Sequence, residues 1–202
     1  LKGHCTRGAV PPVHLTNESM ECFRLSCYDV TEKPGVYRVT LTFQRDDLLY
    51  DIANVAYVEG HVIAEEQECV RHMVTYITQE GNVDRVTRIL ELVHAETVEL
   101  LYPYTKLSVG KDDENYNDRF SAPWTYVIEM EIPTTFSKTT LRLLSKLIHE
   151  FMVCRVLHDW LGMTAPNAAA KWMERAENVQ TEISSALARR TGRVRRKMWP
   201  RW

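Results

Sequence analysis

A chain of 202 residues, 45% hydrophobic and 26% charged, can bury one good core with at most a small appendage, so one domain with room for two lobes is expected. Charges interrupt every long helical segment, which excludes the run of about 20 apolar residues that a membrane span requires; a soluble protein is expected. The net charge of -2 is unevenly placed: Arg189, Arg190, Arg193, Arg195, Arg196, Lys197 and Arg201 supply seven of the 25 basic residues in a stretch without acids, which leaves 18 basic residues against 27 acidic ones elsewhere. An acidic body with a basic end bears on partners and solubility rather than on fold.

The first residues, Leu1 to Arg7, lack the apolar run of a signal peptide, and an opening Leu points to an upstream extension or a cloning remnant. Leu1 to Pro12 is expected to be poorly ordered. Met20 to Tyr28 and Val36 to Phe43 alternate with period two, and Thr31-Glu32-Lys33-Pro34-Gly35 supplies turn residues, so a hairpin over about 20–43 is predicted. After Phe43 the period changes to 3.6. Asp46 or Asp47 can cap a helix that buries Leu48, Leu49, Ile52, Val55 and Ala56, with Gly60 as its end or a kink. A second helix, starting between His61 and Ala64 and stopping at Gly81, would bury Cys69, Val70, Met73, Val74 and Ile77. Asn82 then caps a third helix that runs through Val86, Ile89, Leu90, Val93, Thr97, Leu100 and Leu101, and Pro103 ends it.

Thr105 to Val109 suits a short strand, and the acid-rich stretch from Gly110 to Ala122 suits a long solvated loop. Over 124–132, Trp124, Tyr126, Ile128, Met130 and Ile132 project to one side, as a strand with one buried face requires. Two long amphipathic helices close the body over 137–190. Ser137 can cap the first, Gly162 can stop it, and Ala165-Pro166 restarts the second. The first has a wide apolar stripe, through Leu143, Leu147, Phe151, Cys154, His158 and Leu161 with further apolar residues alongside, which argues for burial on more than one side. The second has a narrower stripe through Trp172, Met173, Ala176, Val179, Ile183 and Leu187, which suits packing on a neighbouring helix or another subunit. The expected fold class is α+β: a small antiparallel sheet packed with about five helices, in one domain over 13–191 with a helical hairpin at 137–190, followed by a basic aromatic tail at 192–202.

Five cysteines, Cys5, Cys22, Cys27, Cys69 and Cys154, form an odd set without the paired spacing of zinc or redox motifs, so cytoplasmic thiols are expected. His61, Glu65, Glu68, Cys69 and His72 cluster in one stretch, but no second helix offers matching ligands, and a surface of mixed charge produces such a cluster by chance, which is the favoured reading. Glu91 and His94 have the Glu-x-x-His spacing of a di-iron helix without the second copy such a bundle needs. His149-Glu150 lacks the histidine four residues on that a zinc protease helix requires; His158, on the apolar stripe, reads as a hydrogen-bonded core or interface histidine. Asp112, Glu114 and Asp118 resemble a calcium loop but lack its glycine and closing glutamate. Phosphate-binding glycine loops and nucleophile elbows are absent from the sequence, so no catalytic residue, metal or cofactor is expected.

The tail from Arg189, with Trp199 and Trp202, allows three readings. It is a frayed helix end whose arginines complement the helix dipole, a nucleic-acid contact, or an anchor on an acidic face of another protein copy. The acidic body favours protein over polyanion, and two tryptophans suit an anchor. The closing Trp172-Met173-Glu174-Arg175-Ala176 helix, running into Arg189-Arg190-Thr191-Gly192-Arg193-Val194-Arg195-Arg196, resembles uncharacterised prophage-encoded proteins of the head-tail connector or tail-assembly kind. That resemblance covers about the last third and implies an oligomeric ring or tail-tube component; the expected location is the cytoplasm, or the virion if the chain is phage-derived. The expectation is therefore a structural or assembly protein, a homo-oligomer or part of a larger assembly. Its partner-binding residues would be Trp172, Met173, Ala176 and Ile183 in a helix seam, with Arg189, Arg190, Arg193, Arg195, Arg196, Lys197, Trp199, Arg201 and Trp202 in a docking tail. The alternatives are a nucleic-acid-binding accessory protein and a metal-dependent enzyme using the His61 to His72 cluster.

Overall fold

The computed structural model describes residues 27–33, 35–63, 67–102, 104–106, 122–134 and 136–189, the first strand by its backbone. The segments expected as a disordered start, as the acidic loop and as the basic tail lie outside these residues, as do Met20 to Ser26. The described fold is α+β. A three-stranded antiparallel sheet in the order β1-β2-β3 combines β1 (Cys27–Lys33), β2 (Val36–Gln44) and β3 (Thr125–Pro133). Five helices accompany it among the described residues: α1 (Arg45–Val62), α2 (Glu68–Thr75), α3 (Glu80–Leu100), α4 (Lys138–Thr164) and α5 (Pro166–Arg189).

The hairpin is tighter than the sequence pattern suggests. Lys33 pairs with Val36, so Thr31 to Lys33 continue the strand instead of turning, and the described part of β1 is Cys27–Lys33. Gly35 takes φ 88°, a left-handed value that a side chain disfavours and a two-residue hairpin loop demands. Val39, Leu41 and Phe43 on β2 and Tyr126, Ile128, Met130 and Ile132 on β3 form the buried face, while Arg38 and Glu131, cross-strand partners, bond at 3.2 Å on the other. Trp124 does not join that face: it precedes β3, is 73% exposed, and its ring lies 4.8 Å from the Arg45 guanidinium. Its carbonyl accepts from the Arg45 amide at 3.0 Å, which fixes the start of α1 against the start of β3.

Helix ends depart from the sequence expectation in consistent ways. Gln44 occupies the N-cap of α1, with Asp46 and Asp47 in the first turn, where carboxylates favour the dipole without capping it. Gln79 takes that place for α3, so Gly81 and Asn82 lie inside the helix, and Asn82 Nδ2 donates to Tyr76 O at 3.0 Å. α2 is shorter than expected, and Cys69 and Met73 are exposed on it rather than buried. Residues 107–109 of the expected short strand lie outside the described part, and Thr105 and Lys106 are in a turn whose Tyr104 carbonyl accepts from Glu131 N at 2.8 Å. Gly162 does not stop α4, which continues to Thr164. Pro166 opens α5, where a missing N–H is harmless.

Gly60 neither ends nor kinks α1. It is buried where α2 crosses: a Cβ there would collide with Thr75 Oγ1 and sit 3.4 Å from the Arg71 carbonyl oxygen. Glycine at this point lets the two backbones approach. α4 is buried around most of its circumference, including Leu144, Ile148, Met152, Val156 and Trp160, as its wide stripe predicts, and one continuous core joins it to β2, β3 and the other helices.

Candidate functional site

α5 runs antiparallel to α4, and its stripe at spacings of three and four fits the α4 ridges. Trp172, Ala176 and Ile183 are 7%, 1% and 0% exposed. The seam expected from sequence is therefore intramolecular, and those three side chains are spent inside the chain instead of being offered to a partner. Met173 is half-buried and reaches a groove described below. Arg189 closes α5 by its backbone; its side chain and Arg190, Arg193, Arg195, Arg196, Lys197, Trp199, Arg201 and Trp202 lie outside the described residues.

Polar contacts rivet the helix layer. Lys171 Nζ meets Glu59 Oε1 at 2.6 Å, joining α5 to α1, and Glu59 is nearly buried. Arg175 grips Glu150 at 2.6 and 2.8 Å across the α4–α5 seam. His149 Nε2 lies 2.7 Å from Asp51 Oδ2, tying α4 to α1, and His158 Nδ1 lies 3.1 Å from the Ala169 carbonyl, the hydrogen-bonded environment expected for it. Arg155 forks onto both oxygens of Glu96 at 3.2 Å and contacts Met173 Sδ at 3.5 Å, linking α3, α4 and α5.

At that three-helix junction lies an open groove of about 280 Å³. Phe151, Arg155 and Ala176 form its floor, Leu100 and Met173 its walls, and Glu96 and Glu177 stand at its rim. This is below the roughly 300–1,000 Å³ of pockets that enclose small molecules, and suits a single large side chain. The only hint in sequence is Arg155, a lone charge within Met152-Val153-Cys154-Arg155-Val156-Leu157.

Burial shifts three titratable groups of the body towards their neutral forms. Burial pushes the Cys154 thiol up to about 12, with Glu150 adding to it, so it stays protonated near neutrality and is a poor nucleophile. Burial likewise raises Tyr126 to about 12, helped by Glu91. His94 is lowered by burial although its Nε2 lies 3.1 Å from the Val127 carbonyl. Around His61 to His72, Arg71 Nη2 meets His61 Nδ1 at 2.7 Å, His61 packs edge-on to Tyr57, and His72 stacks with Tyr76. A guanidinium on the imidazole nitrogen opposes a metal there. Among the described residues no three histidine, cysteine, aspartate or glutamate side chains are grouped as a metal requires. Glu65 is outside them.

Several of the exposed large hydrophobic residues lie on the outer sides of α1 and α2. Tyr50, Asn54, Tyr57, Val58 and His61 recur at spacings of three and four on α1, opposite its buried Leu48, Ile52 and Ala56, and Asn54 alone among them carries no ring or aliphatic branch. Tyr57 is 55%, Val58 60% and Val62 78% exposed, and Met73 on α2 is 58% exposed. A helix with apolar and aromatic residues on two opposite sides normally has a neighbour on each. The pattern that assigns one side of α1 to the core leaves the other unscored; the period-3.6 recurrence of Tyr50, Tyr57 and His61 is the signal available in sequence. No described helix is long and apolar enough to cross a membrane. Comparison with protein-family models, curated proteins and solved structures finds no match to this chain.

Proposed function

We propose that this chain is a non-enzymatic assembly protein that works by binding other protein subunits, with the outer side of α1 and α2 as its principal docking face. The observation that carries this reading is the second side of α1, where Tyr57, Val58 and Val62 stand more than half exposed. Contiguous exposed apolar residues of this kind mark contact surfaces in proteins that otherwise bury them. Aromatic and methionine side chains are the types enriched at protein interfaces, and lysine is absent from α1 and α2. The basic, tryptophan-bearing segment after Arg189 serves as a second contact, and the resemblance of the last third to phage connector and tail-assembly proteins favours a homo-oligomer or larger assembly.

Light scattering coupled to size exclusion tests it on three forms: the full chain, the Tyr57→Asp/Val58→Asp variant, and a truncation after Thr191. Self-association in the full chain that is lost in the double variant supports the reading. Identical monomeric profiles in all three would count against it. Strongly salt-dependent binding to DNA or RNA that disappears with the truncation would put a nucleic-acid role in its place.

A further inference from the structure

The groove at the junction of α3, α4 and α5 has a shape and charge that match one segment of this same chain. Its floor and walls are the apolar Phe151, Leu100, Met173 and Ala176, its volume is about 280 Å³, and carboxylates of Glu96 and Glu177 border it. Arg155 lies in the floor with its charge already met by Glu96. An indole entering here would stack on a guanidinium and touch a thioether, both favourable partners for an aromatic face. A basic residue flanking the indole would meet the rim carboxylate of Glu177, the one not engaged by Arg155. Trp199, preceded by Arg195, Arg196 and Lys197 and followed by Arg201, has that composition.

Reach agrees with composition. Glu177 lies twelve residues before Arg189 on α5, about 18 Å back along the helix at 1.5 Å per residue. The seven Cα–Cα steps from Gly192 to Trp199 span about 23 Å when extended. Gly192, free of a Cβ, is the residue type best suited to reversing the chain. The surface between carries no charged side chain along one line: Ala188, Ser184 and Gln180, at successive intervals of four, lead from the end of α5 to Glu177. A tether this short gives the segment an effective concentration in the millimolar range at its own groove.

We propose that the C-terminal segment folds back along α5 and seats Trp199 in the groove of its own chain, so that the second contact is held in reserve until assembly releases it. This rests on the reading of that segment as a docking element and adds where it resides in the free protein. Other occupants, including the same segment from a neighbouring copy, are outcomes of the test.

A fluorescein-labelled peptide of residues 192–202 is titrated into the chain truncated after Thr191 and followed by anisotropy. Saturable binding is expected, weakened about tenfold or more by Trp199→Ala in the peptide and by Glu177→Lys in the chain. The full chain should bind the peptide far more weakly because its groove is filled, and Trp199→Ala in the full chain should restore binding. Absence of binding to the truncated chain, indifference to both substitutions, or equal binding by the full chain overturns the proposal. So does a full chain whose groove is blocked only at concentrations where it dimerises, since a neighbour's segment then fills it. The Tyr57→Asp/Val58→Asp variant, truncated likewise, should bind the peptide normally, so failure of this proposal and failure of the α1 docking face are read separately.

Discussion

The α4–α5 hairpin and the α1–α2 pair both carry apolar residues on their helices but place them differently. Every apolar residue on the narrow stripe of α5 from Trp172 to Leu187 is inside or half inside the chain, and α4 beneath it is buried on several sides. α1 buries one side and leaves Tyr50, Tyr57 and Val58 more than half exposed on the other. A clean amphipathic stripe is thus the signature of a contact already made. A helix without one, because it has apolar residues on both sides, keeps a surface for a contact outside the chain.

That contrast can be broken by substitution. The largest effect should come from Ile183→Ala, which removes a fully buried side chain from the α4–α5 seam; urea unfolding should show a loss of about 2–5 kcal/mol. Gly60→Val should cost about 1–3 kcal/mol in the same measurement, because a side chain at this point must push Thr75 away and separate α1 from α2.

Acidification should have a smaller, graded effect through His94. Burial holds its folded pKa below the 6.5 of an exposed imidazole, so below that pH the unfolded chain takes up the proton first. The stabilisation is complete above 6.5 and is lost as pH falls towards the folded value. A thermal melt at pH 7 and pH 5 should show the decline, and His94→Gln should reduce it. At the other extreme, Cys154 and Tyr126, both raised to about 12, contribute stability that is full below their ordinary values of 9.0 and 10.0 and is lost as pH climbs to about 12. Smallest of all, Tyr57→Asp/Val58→Asp should leave monomer stability within about 0.5 kcal/mol while changing association, which would place the energetic role of that face outside the folded chain.

Much of the fold is legible from periodicity. The alternation in β2 and β3 and the stripes of α3, α4 and α5 lead to the right elements because each has one dominant buried face. The edges are harder. Gly60, Gly81 and Gly162 all read as helix stops, yet all three lie inside helices; at Gly60 the packing of α1 on α2 outweighs the local propensity of a glycine. Trp124 fits the alternation of β3 but precedes its first residue, so the period extends one position beyond the strand that justifies it. At the candidate site, sequence identifies Trp172, Met173, Ala176 and Ile183 as contact residues but does not distinguish a contact within the chain from one beyond it. Asp51 with His149, Glu59 with Lys171 and Glu96 with Arg155 join residues far apart in the chain, and no local pattern announces such pairs.

The pairing of β2 with β3 also sets an order of events. Gln44 faces Thr125 in the register, so α1, α2 and α3 all lie between two strands that must meet. Closing so long a loop is entropically expensive, whereas α4 and α5 are joined by a tight turn and β1 meets β2 across two residues. The helical hairpin and the β1–β2 ribbon are therefore the natural early structures, and β3 arrives last, once the intervening helices have condensed. Until it does, Val39, Leu41 and Phe43 lack part of their cover, and β2 presents a free edge to other chains. For a protein proposed to work in contact with its own kind, the interval before that strand docks is when a wrong association competes with the right one.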